Sequence, residues 1–338
     1  MFYIRTDANS IIGSGHVMRC IAIANSLKKV GVESVFITAD RESKKIIMPY
    51  GYSIICLDSV WNQLEYEIDI LSELIVKNNI DKILIDTYYV TENYLMSLRQ
   101  HSKVIYIDDL NKFIYPVDVL INYNIYAESL ELKKCYNNTK TKLLLGCEYA
   151  PLREEFRGRL LPNREKVINV LISTGGTDTY NFAGKFMEYI IRNNKFRDIV
   201  FHIIVGSFNQ NEDMLNHLAE MNRNIILHYN VTRMSDLMLE CDAALSAGGS
   251  TLYELCACGI PTISYVFADN QLQVVNEFSR QNIIYYAGDI RDNPDICLES
   301  IEKRLEDFIK SKNLRKSLSI KMRTLVDGFG ADRITQQI

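Results

Sequence analysis

One histidine in this sequence stands where a proton acceptor would be useful. The strand-like run FYIRTD passes through NSIIGSGH into an amphipathic stretch, so Gly13 and Gly15 allow a tight turn and His16 falls at a helix start. Unpaired N–H groups and a partial positive charge at such a start suit an anion. An imidazole, with an ordinary pKa of about 6.5, is mostly neutral near pH 7 and able to accept a proton. That makes His16 a candidate general base, with a structural or exposed histidine as the alternative. Arg19, three residues on, shares its helix face. It fits phosphate contact, orientation of the site, or a solvated helix charge equally.

Two further glycine loops follow strand-like runs. INVLISTGGTD ends in Gly175, Gly176 and Thr177, with Asp178 placed to cap the next helix. It matches neither GxGxxG nor GxxxxGK[ST], since Lys185 follows a glycine too distant from Gly176. Phosphate binding and a plain tight turn both fit it. In AALSAGGSTLYELCACGIPTISY, Gly248, Gly249, Ser250 and Thr251 offer backbone and hydroxyl donors to a diphosphate at a helix start. Glu254, one turn along, can accept two hydrogen bonds from a ribose diol, or it merely favours the helix dipole. The two loops together favour a nucleotide. Other strand ends carry Asp86 and Tyr88 in LIDTYYV, Asp108 and Asp109 in YIDDLN, and Asn270 and Gln271 in ADNQ. Each suits sugar hydroxyls or amides, and each also suits capping, turning or packing.

These loops need strands to carry them. Short apolar runs alternate with amphipathic stretches along the whole chain, the pattern of α/β halves with parallel sheets and crossover helices. Strands are expected at 2–6, 34–38, 54–57, 82–86, 103–107 and 117–121, and again at 167–173, 200–205, 225–229, 243–246, 262–265 and 283–286. Long helices are expected over 294–338. The arginine-rich segment before Val167 marks a boundary, which divides the chain into a first domain over 1–150, a linker over 151–165 and a second domain over 166–338. Two such halves imply a cleft, and ligands of open parallel sheets sit beyond the strands' carboxyl ends.

With 338 residues, 47% of them hydrophobic, each half can hold its own core. A net charge of -4 gives no basic field for nucleic acid or an anionic membrane. MFYIRTDANS reads as a strand and a polar turn rather than a signal peptide, and no apolar run spans a bilayer, so a cytoplasmic location is expected. The eight cysteines, at 20, 56, 135, 147, 241, 256, 258 and 297, show no CxxC or finger spacing and read as buried thiols. No DxD is present, and His101, His202, His217 and His228 share no ligand spacing, so neither a metal nor a cofactor is expected. A monomer is compatible with the sequence.

RTDANSIIGSGHVMRC, LIDTYY, YIDD, GCEYAPLREEF, STGGTD, SAGGSTLYELCACGIP, ADNQ and DGFGADRI together make the chain resemble a known family. It is that of the UDP-2,4-diacetamido-2,4,6-trideoxy-β-L-altropyranose hydrolases of pseudaminic acid biosynthesis, relatives of the UDP-N-acetylglucosamine transferases of the MurG type. The resemblance implies a GT-B-like fold of two Rossmann-like domains whose parallel sheets face an interdomain cleft. It implies release of UDP and the free sugar by water attack at C1, with inversion and without metal. In that scheme His16 activates water and Gly248, Gly249, Ser250 and Glu254 bind UDP, with Tyr88, Asn270 and Gln271 on the sugar side. A glycosyltransferase and a non-catalytic UDP-sugar binder are the rival readings.

Overall fold

In a computed structural model, which describes residues 1–160, 162 and 164–338, the chain forms two compact units. Unit 1 is Met1–Glu154 with Phe329–Ile338, and unit 2 is Glu155–Gly328. Leu161 and Asn163, inside the expected linker, lie outside the described residues.

Apolar, β-branched runs build both sheets. FYIRT, SVFIT, KILID and KVIYI are buried along nearly their whole length, as strands covered by helices on both faces must be. Unit 1 holds β1 (Phe2–Thr6), β2 (Ser34–Thr38), β3 (Ser53–Cys56), β4 (Lys82–Asp86), β5 (Lys103–Ile107), β6 (Val119–Asn122) and β7 (Lys142–Leu145). All are parallel, in the order β3-β2-β1-β4-β5-β6-β7. Thr6 pairs with Asp86, so the loop after β1 and the end of β4 emerge side by side where the winding direction reverses. Leu71, Ile75, Ile83, Ile85, Tyr94 and Leu98 anchor the core on one face.

Unit 2 holds β8 (Asn169–Ser173), β9 (Val200–Val205), β10 (Ile225–Tyr229), β11 (Ala243–Ala247), β12 (Thr262–Val266) and β13 (Tyr285–Asp289). They are also parallel, ordered β10-β9-β8-β11-β12-β13, with the reversal between β8 and β11. Val170, Ile172, Phe186, Phe201, Leu245 and Ile263 lie in its core. Helices Pro294–Lys310 and Lys312–Leu325 close the unit. Among the described residues no helix is long and apolar enough to cross a membrane.

All twelve expected strands appear within two residues of their expected starts. β7 was not anticipated. The last ten residues also differ from the expected division, because helix Gly330–Thr335 packs on helix Gly15–Lys29 of unit 1. Ser26 Oγ donates to Asp332 at 2.5 Å, and Arg333 donates to the Glu148 carbonyl at 2.9 Å. Gly330 makes this docking possible, since a Cβ there would stand 2.1 Å from the Ala150 carbonyl oxygen. Gly330→Ala is therefore expected to destabilise unit 1 by roughly 1–3 kcal/mol, the usual cost of overpacking. Urea denaturation checks it, and an unchanged midpoint would show that the terminal helix shifts freely.

Candidate active site

In unit 1 the sequence after β1 folds back on itself before the helix begins. The Asn9 side chain accepts from the Ile11 and Ile12 amides at 2.9 and 3.0 Å, and the Gly13 amide donates to the Asn9 carbonyl at 2.9 Å. Gly13, at φ 70°, occupies the left-handed region that this turn requires. Gly15 then opens helix Gly15–Lys29, and His16 enters the protein on its first turn, only 4% exposed.

Asp86, at the end of β4, meets this turn from the neighbouring strand and has no exposed surface. His16 Nδ1 lies 2.6 Å from its Oδ1. Arg19 Nε donates to Oδ2 at 2.6 Å, and Arg19 Nη2 donates to Oδ1. Arg19 Nη1 reaches on to Asp109 at 2.7 Å and the Tyr123 hydroxyl at 2.6 Å. The Cys20 thiol also points to Asp86, at 3.4 Å. Burial alone pushes the Asp86 carboxyl up, but the Arg19 guanidinium and His16 pull harder and hold it well below the usual carboxylate range. Arg19 Nη2 also lies 3.0 Å from Nδ1, but the ionised carboxylate is closer and only accepts, which places the imidazole proton on Nδ1 and the lone pair on Nε2. Nε2 is buried and has no hydrogen-bond partner among the described residues. The Tyr88 ring packs edge-on against the imidazole, with centroids 4.3 Å apart. A histidine held through Nδ1 by a buried acid, with Nε2 left as its basic nitrogen, is an arrangement suited to proton abstraction.

A second buried network lies at the end of β1. Arg5 donates to Glu67 through Nε at 2.8 Å and Nη2 at 2.9 Å, and through Nη1 to Asp7. Tyr94 and Ser59 also donate to Glu67, each at 2.8 Å. Asp7 accepts from the Ala39 amide at 2.8 Å, which pins the first residue of the histidine loop to the loop after β2.

In unit 2, β8 and β11 are neighbours, so the loops holding Gly175, Gly176, Thr177 and Gly248, Gly249, Ser250 leave the sheet together. The two are built differently. After the first loop, Asp178 accepts from the Phe182 amide at 2.7 Å and the Ala183 amide at 3.2 Å, filling the start of helix Phe182–Arg192 with its own carboxylate. The Gly176 carbonyl is held by the Phe208 amide at 3.0 Å, and Gly206 leaves room for the tip. At the second loop, helix Thr251–Cys258 begins with no side-chain cap on Ser250. Gly248 is needed for packing, since a Cβ there would lie 2.4 Å from Val275 Cγ2, whereas Gly249 borders open space. Ser250 is exposed and Glu254 half-buried on the first turns of that helix.

After β12, Asn270 is exposed, while buried Gln271 accepts from the Phe267 amide at 3.0 Å and so holds its own loop. Asp108 turns the chain, accepting from the Leu110 and Asn111 amides at 2.9 and 3.0 Å. His202 and His228 pair with each other at 3.0 Å. Among the described residues no three His, Cys, Asp or Glu side chains converge as metal ligands do. Sequence reasoning missed Arg5, Glu67 and Tyr123. An arginine inside the otherwise apolar FYIRT was the one available signal.

Two parallel Rossmann-like sheets of this order define the GT-B fold class. The structure superimposes on MurG of Acinetobacter baumannii with a TM-score of 0.68, covering 100% of this chain and 99% of that one at 11% identity. No family model matches the chain. An uncharacterized protein of Methanocaldococcus jannaschii is 30% identical over 80% of this chain, which spans only 56% of that relative. The UDP-2,4-diacetamido-2,4,6-trideoxy-β-L-altropyranose hydrolase of Campylobacter jejuni is 25% identical over 78% of the chain and 90% of its own length. The spore coat polysaccharide biosynthesis protein SpsG of Bacillus subtilis is 24% identical over 96% and 93%. The chain is a homologue of these proteins.

Asp86→Asn is expected to cost about 3–5 kcal/mol at neutral pH, the usual loss when one member of a buried ion pair is removed. Because the folded carboxyl titrates below its unfolded value, its stabilisation is complete above about pH 4 and fades as pH falls further. The gap between wild type and variant in urea melts should therefore narrow in acid. A gap independent of pH would mean that the charge of Asp86 is not what stabilises the site.

Proposed function

We propose that the chain hydrolyses a UDP-sugar, releasing UDP and the free sugar with inversion at C1. The substrate proposed is UDP-2,4-diacetamido-2,4,6-trideoxy-β-L-altrose of pseudaminic acid biosynthesis. The observation that carries this reading is the Asp86–His16 pair, with the second imidazole nitrogen buried and without a hydrogen-bond partner among the described residues. The name of the Campylobacter jejuni relative supports the substrate class.

In the proposed step, His16 Nε2 takes a proton from water as the water oxygen bonds to C1. The bond from C1 to the diphosphate oxygen breaks, and its electron pair leaves with UDP. The imidazolium is stabilised by Asp86, whose own ionisation Arg19 secures. Charge developing on the diphosphate is met by the backbone donors of Gly248, Gly249 and Ser250 and by the start of helix Thr251–Cys258. Glu254 accepts from the ribose hydroxyls. Tyr88 and Asn270 line the sugar side, with Gln271 shaping the loop that presents Asn270. In this reading Arg19 positions Asp86 rather than touching phosphate, because its donors are already on Asp86, Asp109 and Tyr123.

Reaction in heavy-oxygen water is expected to place the label in the released sugar and none in UDP. Label in UDP would mean attack at phosphorus, and release that required an added acceptor would identify a transferase. His16→Asn should lower turnover by about 10²- to 10⁴-fold, the usual contribution of a general base, with UDP affinity retained. A loss of a few fold would demote His16 to a structural role. Glu254→Ala should weaken UDP binding by about 1.5–3 kcal/mol, one charge-assisted contact, in calorimetry. Unchanged affinity would return Glu254 to an ordinary first-turn acid.

A further inference from the structure

Helix Lys312–Leu325 carries Lys312, Arg315, Lys316, Lys321 and Arg323 and not one acid, in a chain of net charge -4. Three of these cations converge on a cavity of about 170 Å³ lined by Arg164, Asp242, Arg315, Lys316, Ser319 and Arg323. It lies at the amino ends of β8 and β11, the end of the second sheet away from the glycine loops. Asp242 marks that end, accepting from the Ile168 and Asn169 amides at 2.8 and 3.0 Å.

The charge in this cavity is unbalanced. Asp242 is its one acid, and its remaining oxygen is taken by Arg164 at 3.0 Å. Arg315 is only 5% exposed, yet its donors go to neutral carbonyls: Phe308 at 2.5 Å, Arg164 at 2.8 Å and Glu165 at 3.0 Å. Burial pulls its pKa down, against the nearby Asp242 and Glu165. Neither Arg315, Lys316 nor Arg323 forms an ion pair among the described residues. Desolvated guanidinium without a carboxylate is costly, and an oxyanion with several acceptors is the natural complement. At about 30 Å³ per water, the cavity has room for a few waters or one tetrahedral oxyanion, well short of the roughly 300 Å³ that whole organic ligands occupy.

We propose that this cavity is a phosphate site, taking inorganic phosphate or the phosphoryl group of a small phosphomonoester between Arg164, Lys316 and Arg323, with Arg315 supplying buried positive charge behind it. The wall is tied to the glycine loop's own helix. A Cβ at Gly259 would meet Arg323 Cδ at 2.6 Å and Ser319 Oγ at 2.7 Å, and Gly259 is the left-handed cap ending helix Thr251–Cys258. The site is independent of the proposed hydrolysis.

Calorimetric titration with inorganic phosphate at low ionic strength, held constant with chloride, tests it on the wild type and on Lys316→Glu/Arg323→Glu. Both side chains are exposed, so the fold should survive, and thermal melting confirms that it does. Lys316→Glu alone serves as the second variant. Saturable binding weakened at least about tenfold in the double variant, as loss of a charge-assisted contact predicts, supports the site. Absence of saturable binding to the wild type, or equal binding by a folded double variant, overturns it. Glucose 1-phosphate separates the sources: competition with phosphate assigns a phosphomonoester headgroup, and failure to compete assigns the free ion.

Discussion

The first unit is organised around one buried negative charge. Asp86 has no exposed surface, so ionising it is unfavourable until something cationic is placed against it. Arg19 does this with the fork of its guanidinium, and its remaining donors then reach Asp109 after β5 and Tyr123 after β6. A single arginine thus ties the ends of β4, β5 and β6 to the helix that follows β1. The orientation of His16 is a consequence of the same charge. A protonated Asp86 could itself donate, and nothing would then hold the imidazole proton on Nδ1.

A second buried arginine, Arg5, holds a separate pair of acids. Arg5 offers a bidentate contact to Glu67 and a third bond to Asp7, and burial pushes the Asp7 carboxyl up against that attraction. In this network two acids share the one arginine, and the other donors to them are Tyr94, Ser59 and the Ala39 amide. It fixes the base of the histidine loop without competing for Arg19. The two buried arginines, one on the strand and one on the helix, thus serve separate acids.

Periodicity made the strands legible because both sheets are covered on two faces, which turns each strand into a continuous apolar run. β7 escaped because KLLL is only four residues at the sheet edge and sits between polar turns. The final helix escaped for another reason: its membership in unit 1 depends on Gly330 touching Ala150, a contact between distant residues that no local pattern encodes. The site divides the same way. His16, Gly13 and Gly15 were readable because turn, helix start and histidine are contiguous. Asp86 was visible only as a residue with two equal uses, and its partnership with Arg19 spans 67 residues. Arg5 and Glu67 are 62 apart, and the sequence marks their pairing only by placing a charge inside an apolar strand.

Two glycine loops that look alike in sequence turn out to offer different things to an anion. Both follow parallel strands, both precede helices, and β8 and β11 bring them together. After the first, however, the chain spends the helix's unpaired N–H groups on its own Asp178, which stands in for any external phosphate. After the second, Ser250 provides no such side-chain cap, and the nearest acid, Glu254, lies further along the helix. Both acids lie near enough to a helix start to feel its dipole, but Asp178 accepts directly from the Phe182 and Ala183 amides, whereas Ser250 leaves the start of helix Thr251–Cys258 without a side-chain cap. The discriminating feature is therefore the position of one carboxylate relative to the helix start, and glycine content alone does not reveal it.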